Sequence, residues 1–502
     1  MTKCTCDTTN LDIYNLPDCQ GVWELISSGN CKGVFQIESS GGQHWSKKLA
    51  PNNIDLLAAL IAIMRPGVLN AFQDGKSMTD LFCERRHGAE SKSIDDSIAH
   101  ILKPTYDILI YQEQMLQIAK ELCDFDLIEL DKLRKGAGKK DAKLMSELRG
   151  LFVRKAKIKG LVSEEKANEI YDIIEASNRY SFNAGHSYGY AYITYATAYL
   201  KYHMPLEFYA GWIKNCQNEA KPQFELRTLV QDARQNGIEI LPPSIKFANA
   251  QTHIHNGKIY LGLADIKGVG EKAIEKLPDM STMSWVDLLK NIKPKILSCF
   301  IQSGAISHLG MSRKQMLAEL NIWEQLTKKE QGQIKSNLLQ ELENGAKPKK
   351  DGGICHTEDR VFTLKSLIKV LKQSAYSLQD DPVVISRFEI ELLGTNLTCS
   401  KSDYIDKSVC KHNIADIKNG TRNGNIIAEF KDVRIFKAKT GKTKGKTMAH
   451  VVLEDESGEI PGVIFADQYE ILQSLVIKGN IVMVKFYSKD FNSLFVNDLW
   501  QA

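Results

Sequence analysis

The chain has 502 residues, 43% hydrophobic and 25% charged, which suits two to four globular domains with real apolar cores. Its net charge of +4 is too small to argue by itself for a polyanionic partner, so the placement of the basic residues carries that question. No apolar run approaches the ~18 residues a membrane-spanning helix needs, and Met1-Thr2-Lys3-Cys4 opens no apolar stretch of a secretory signal. Eleven cysteines, an odd count without a C-x-x-C pair, argue against a complete disulfide framework. Cys4, Cys6 and Cys19 are weighed as metal ligands against free thiols, and free thiols fit better because no second pair or spaced histidines follow.

Residues 20–215 read as mostly helical. Ile54 to Met64 is an apolar helix stopped at Arg65-Pro66-Gly67; Tyr111 to Leu130 carries Met115, Ile118 and Leu122 at helical spacing; Glu164 to Ile174 and the tyrosine-rich Ala191 to Tyr202 follow. From 220 the character changes. Phe224 to Asn236 reads as a helix, Gly237 to Pro243 as a short strand, and His253 to Leu263 as a hairpin turning at Asn256-Gly257, with helices from Gly270 and Trp285. Residues 325–382 are polar and lysine-rich, suiting a linker or a loosely packed helical insertion. Residues 420–502 alternate as five short strands with a helix before the fourth, the pattern of an OB-type barrel. The fold class expected is multidomain α+β.

Four stretches suit nucleic acid or nucleotide. Leu133-Arg134-Lys135-Gly136-Ala137-Gly138-Lys139-Lys140 sets cations beside small residues, as phosphate binding needs, though a solvated basic helix face looks the same. Ser181 to Tyr190 mixes Asn183, His186 and Tyr190 with glycine, which suits a pocket holding a base on an aromatic face, or equally a helix start with tyrosines in a core. Lys267-Gly268-Val269-Gly270 opens a helix whose backbone amides suit a DNA phosphate. Lys437, Lys439, Lys442, Lys444 and Lys446 crowd the loop between the first two barrel strands, where OB folds hold oligonucleotides, and a mobile solvated loop is the bland alternative. Two-metal nucleotidyl transfer needs converging carboxylates. Asp124 and Asp126, read on a helix, point apart without a third partner, and Asp95-Asp96 and Asp380-Asp381 are adjacent pairs only, so no catalytic or metal-binding residue is assigned.

Taken in order, these stretches resemble the alpha subunit of bacterial DNA polymerase III, a C-family replicative polymerase. The words that carry the resemblance are Gly33-Val34-Phe35-Gln36-Ile37-Glu38-Ser39, Arg65-Pro66-Gly67, Pro104 to Ile108 with Tyr111 to Gln114, the basic box, Phe182-Asn183 to His186-Ser187, Ile240 to Pro243, Gly262 to Gly270, Ser303-Gly304-Ala305 and Leu392-Leu393-Gly394. The resemblance implies fingers over 1–215, a helix–hairpin–helix region holding duplex over 216–310, a polar helical linker over 311–384 and an OB domain near single-stranded template over 385–502. It implies that Arg134, Lys135, Lys139 and Lys140 face the incoming dNTP, with Asn183, His186 and Tyr190 in the same pocket. The family's palm aspartates precede the Gly33 word, where only about 30 residues stand here. The expectation is therefore the C-terminal chain of a split polymerase, inactive alone, with Mg²⁺ held mainly by a palm-bearing partner chain. Leu11, Ile13, Trp23 and Leu25 would pack at that junction. DNA, duplex and single-stranded, and dNTP are the partners implied; a sliding clamp stays open, since no convincing Gln-x-x-Leu-Phe peptide is found. A cytoplasmic location goes with the family. The rival is a non-catalytic DNA-binding remnant of a polymerase, against which intact fingers words argue.

Overall fold

The structure is a computed structural model that describes residues 11–501 except 74, 92, 140–141, 178–180, 248, 346–356, 373–378, 400–409, 411, 439–443, 456 and 491. Two compact units divide the chain, Met1–Phe208 and Tyr209–Ala502.

The first unit is built on two apolar clusters. One joins α1 (Gln20–Ser27), α2 (Ser40–Leu49), α3 (Ile54–Ile63) and a long helix, α8 (Ala184–His203). Every residue of α3 from Leu56 to Ile63 is buried, which its unbroken apolar sequence requires, and Asn53 caps it by accepting the Leu56 N–H. The helix ends at Ile63, and Pro66 does not merely stop it. Pro66 starts a further helical turn, Pro66–Leu69, as proline does at a first helical position. The other cluster gathers α4 (Gln112–Cys123), α5 (Leu127–Lys139), α6 (Ala142–Lys159) and α7 (Glu164–Ser177) around Met115, Leu122, Leu133, Phe152 and Tyr171.

Here the single helix expected over 111–130 is two. Asp124 adopts a left-handed backbone (φ 47°) that ends α4, and Asp126 caps α5 by accepting the N–H groups of Ile128 and Glu129. Short polar side chains at such a break satisfy orphan amides, which helical spacing alone does not reveal. The tyrosine-rich helix is also longer than expected, starting at Ala184 because Asn183 caps it through the His186 N–H. Trp23 is not free for a neighbouring domain: it is buried in this unit, its ring 4.7 Å from Tyr195 and its indole N–H donated to Asp18. Ile13 is exposed, while Leu11 and Leu25 pack partly on the same cluster.

In the second unit, helix Pro222–Gln235 leads to a three-stranded sheet, Ile240–Leu241, His253–His255 and Lys258–Tyr260. Asn256 and Gly257 both take positive φ (48° and 73°), the tight hairpin that an Asn-Gly pair signals. Helices Trp285–Asn291, Pro294–Ser303 and Arg313–Gln325 follow. The 325–382 stretch is more than a linker. It holds helices Lys328–Gln333, Leu338–Gly345 and Glu358–Lys372, with Leu338, Leu342 and Leu364 buried.

The C-terminal strands are β1 (Asn423–Lys437), β2 (Thr447–Asp455), β3 (Gly458–Ile464), β4 (Ile481–Tyr487) and β5 (Leu494–Gln501), with helix Ala466–Leu472 between β3 and β4. They close a barrel in the order β5-β3-β2-β1-β4. The long β1 pairs with β4 over Asn423–Glu429 and with β2 from Glu429 onward, with an irregularity at Phe430/Asp432, so one strand turns the barrel's corner. Within the barrel, among the described residues, only the β3–β5 pair is parallel. This is the OB-type barrel the alternation predicts, and the class is multidomain α+β.

Candidate nucleotide cleft and DNA-binding elements

The Gly33-to-Ser39 word folds into a tight turn. Gly33 and Gln36 have positive φ (74° and 65°), Val34 and Ile37 are fully buried, and Ser39 caps α2. Gly42 is required there: a Cβ on it would lie 2.7 Å from the Ile37 backbone. Between this turn, the Arg65–Leu69 corner and the start of α8 lies an open cleft of about 370 Å³. Gln36, Trp45, Arg65, Phe182, His186 and Tyr190 are among its walls.

Aromatic faces and one cation define the chemistry of the cleft. The Arg65 guanidinium lies 3.7 Å over the Phe182 ring, and its Nε–H donates to the Ala62 carbonyl at 3.1 Å. Half-burial lowers its pKa from the ordinary arginine value. Arginine nonetheless keeps its charge, so a partly desolvated cation faces the cleft. His186 packs on Tyr190 (4.0 Å) and meets Phe182 edge-on (5.2 Å), and Phe35 abuts Tyr190 (5.2 Å). A flat π-system next to a cation suits a base joined to phosphate. α8 is fixed behind these rings by Ser187 to the Ala58 carbonyl (2.6 Å) and Tyr188 to Asp55 (2.8 Å); burial, then that carboxylate, pushes the Tyr188 hydroxyl up to about 12.

The sequence-predicted nucleotide residues divide. His186 and Tyr190 line the cleft. Asn183 is engaged elsewhere: it caps α8, and its amide donates to Glu113 at 2.8 Å, while Glu113 also accepts the Ala184 N–H. A carboxylate thus already occupies the α8 N-terminus. Arg134 and Lys135 stand exposed on α5, against the other apolar cluster, each paired with Asp131 (2.8 and 2.6 Å). The Lys135 and Arg134 contacts, in that order, lower the Asp131 pKa. Gly136 packs against Met145 of α6, where a Cβ would lie 2.9 Å from the sulfur, so its small size serves helix packing. The Lys139 side chain and all of Lys140 lie outside the described residues. Arg65 and Trp45 escaped the sequence reading. The available signal was a cation just past a helix buried from Leu56 to Ile63 and an indole following Gly41-Gly42.

The carboxylate pairs have structural work. Asp124 holds Lys159 at 2.6 Å, Asp126 caps α5, Asp95 and Asp381 cap helices, and Asp380 accepts the Lys314 N–H. Among the described residues no three His, Cys, Asp or Glu side chains gather as a metal site. Cys4 and Cys6 lie outside the described residues, and Cys19 is buried.

In the second unit, Lys267, Gly268 and Gly270 are exposed on the turn before Glu271–Ile274. Gly268 needs its left-handed φ of 90°; Gly270, at −86°, does not. The Lys267 N–H donates to the Leu392 carbonyl at 2.8 Å, anchoring the turn. In the barrel, Lys437 ends β1, Lys444 is exposed and Lys446 pairs with Asp467 at 3.0 Å. Lys439 and Lys442 lie outside the described residues.

Residues 2–160 match the family described as "Bacterial DNA polymerase III alpha subunit finger domain", and residues 237–316 match "Helix-hairpin-helix motif". Curated relatives named "DNA polymerase III subunit alpha" include those of Aquifex aeolicus (29% identity over 96% of this chain and 39% of the relative), Helicobacter pylori strain 26695 (30%, 96% and 39%) and Bacillus subtilis (29%, 92% and 39%). The chain therefore spans about two fifths of the length of the curated relatives it matches. No helix among the described residues is long and apolar enough to cross a membrane. From its finger-domain match through its helix–hairpin–helix motif, the chain is similar to the alpha subunit of bacterial DNA polymerase III.

Proposed function

We propose that the chain supplies the fingers, the duplex-holding hairpin and the template-binding barrel of a DNA-directed DNA polymerase working in replication in the cytoplasm. The observation that carries this reading is the cleft. Arg65, inside the 2–160 stretch that matches polymerase fingers, lies on Phe182 beside His186 and Tyr190, which follow that stretch. The cleft orients the base of an incoming dNTP on its rings and its phosphates toward Arg65. Arg134, Lys135, Lys139 and Lys140 add positive charge on the same unit, His186 and Tyr190 wall the pocket, and Asn183 acts by fixing the start of α8. Lys267, Gly268 and Gly270 meet duplex phosphate. Lys437, Lys439, Lys442, Lys444 and Lys446 meet the single-stranded template.

Asp95, Asp124, Asp126, Asp380 and Asp381 serve caps, an ion pair and a backbone hydrogen bond; Mg²⁺ would be held mainly by a palm-bearing partner chain, and no chemical step is assigned to residues here. The chain alone should extend no primer. Primer extension with Mg²⁺ and dNTPs, with and without the palm-bearing chain, tests this. Extension should need both chains; robust extension by this chain alone, lost in Asp124→Ala or Asp126→Ala, would sink the reading.

A further inference from the structure

Gln36 holds a backbone conformation that its side chain disfavours. Its φ of 65° lies in the left-handed region, which glycine, asparagine and aspartate visit readily and a longer side chain does not. The Ile37 N–H reaches back to the Phe35 carbonyl at 2.9 Å, and to Val34 at 3.3 Å, which puts Gln36 at the centre of a γ-turn of the rare, strained, positive-φ kind. Such strain persists only where the surroundings enforce it, and α8 does so from behind. The Phe35 N–H donates to Thr197 Oγ1 at 3.1 Å. Lys201, 3% exposed, donates to Asn30 Oδ1 at 3.1 Å and to the Lys32 carbonyl at 2.9 Å. Of the described non-glycine residues with positive φ, Gln36 alone lines the cleft. It is exposed there, and its side-chain amide makes no hydrogen bond among the described residues.

The other walls of the cleft offer a base the rings of His186 and Tyr190, and offer phosphate the charge of Arg65. A neutral amide adds to neither. It donates through its NH₂ group and accepts at its oxygen, which suits the edge of a base. In a nucleotide paired with template, the Watson–Crick edge is spent on the template base. The minor-groove edge remains, where adenine N3 and thymine O2 are acceptors in equivalent places, as are guanine N3 and cytosine O2. A donor held at that place tests the shape of a correct pair whatever its sequence. We propose that the Gln36 amide donates a hydrogen bond to the minor-groove acceptor of the incoming base, which makes Gln36 a specificity-determining residue of the cleft. This rests on the reading of the cleft as a dNTP site and names the group that checks the base there.

Glycine adopts this φ without strain, so Gln36→Gly removes the amide and keeps the turn, which thermal unfolding verifies. The probes are dATP and 3-deaza-dATP, in which a C–H replaces the N3 acceptor, each measured with Mg²⁺ by equilibrium dialysis against the full chain. Wild type should bind dATP about 2- to 12-fold more tightly than the deaza analogue, the range for one neutral hydrogen bond. Gln36→Gly should bind dATP more weakly by the same factor and should not distinguish the two nucleotides. Gln36→Glu keeps the length of the side chain, but an ionised carboxylate cannot donate, so it should lose the distinction as well. A wild type that binds both nucleotides alike, or a Gln36→Gly that favours dATP as strongly as wild type does, overturns the proposal and leaves the cleft reading standing. Binding of neither nucleotide by wild type takes the cleft reading down, and the proposal with it.

Discussion

Replacing Arg65 separates what its charge does from what its placement does. The guanidinium is held before any ligand arrives, by the Phe182 face at 3.7 Å and by the Ala62 carbonyl at 3.1 Å. Arg65→Leu removes the charge. A charge-assisted hydrogen bond to phosphate contributes about 1.5–3 kcal/mol, so dNTP binding should weaken roughly 10- to 150-fold. Arg65→Lys keeps the charge but loses the flat surface that rests on Phe182, so the ammonium must be ordered on binding. That ordering costs about 0.5–1.5 kcal/mol, roughly 2- to 12-fold. Trp45 lines the same cleft, so nucleotide entry should change the tryptophan emission of the full chain, and Trp45→Phe should remove that change. The expected order is wild type tightest, lysine intermediate, leucine weakest. Binding within about twofold of wild type for Arg65→Leu, with an unaltered melting temperature, would refute the assignment of the cleft to nucleotide.

Arg313 and Glu389 form a buried ion pair at 2.7 Å in the second unit, and Glu389 also accepts from Leu397 and Thr398. Arg313→Met should therefore destabilise by about 3 kcal/mol, the low end for an orphaned buried charge, and denaturant unfolding showing under about 1 kcal/mol would contradict it. Glu330 is nearly buried against Arg360 at 2.7 Å. Burial alone would raise its pKa, but the Arg360 and Thr327 hydrogen bonds outweigh it and the net shift is downward from 4.5. A depressed carboxyl pKa gives stability that is complete above the unfolded value and lost as pH falls through the folded one. Melting temperatures taken downward from about pH 5 should fall more steeply for wild type than for Glu330→Gln; parallel curves would remove the pair from the acid response. Asp131→Asn should release Arg134 and Lys135, tightening dNTP binding at low ionic strength, with the gain fading as salt is added. Weaker binding in that variant would mean Asp131 positions the cations rather than competing for them.

Much of the architecture was legible because it rests on short-range rules. Two-residue alternation marks the five barrel strands, and Asn256-Gly257 marks its hairpin by needing two positive φ angles in a row. The helix boundaries were less legible where a polar side chain decides them. Nothing in the periodicity of 111–130 shows that Asp124 turns left-handed and Asp126 caps anew. Several words of the family pattern prove to be scaffolding. Gly304 has a φ of 83° and leaves no room for a Cβ, which would lie 2.6 Å from Arg313; Gly394 ends its helix at a φ of 80°. The cleft was half legible. His186 and Tyr190 share a local stretch, whereas Trp45 and Arg65 reach them only through tertiary packing of α2, α3 and α8, which leaves no local signature.

The basic run of the fingers gains a different meaning from the structure. In sequence it is a block of uncompensated charge. In the fold Lys155 meets Glu129 at 2.6 Å, Lys159 meets Asp124 at 2.6 Å, Arg149 meets Asp172 and Glu175 at 2.5 and 2.6 Å, and Arg134 and Lys135 share Asp131. Every one of these cations is held by a neighbour of opposite sign, most of them on the surface. Exposed pairs are screened and exchange partners readily, so a triphosphate offering several oxygens at once can displace a single carboxylate. The half-buried Arg65 also has its plane fixed by an aromatic face and a backbone carbonyl. Under the proposed function, specific placement of the nucleotide would belong to the cleft, while the surface cations of α5 and α6 would attract and retain it from a less exacting distance.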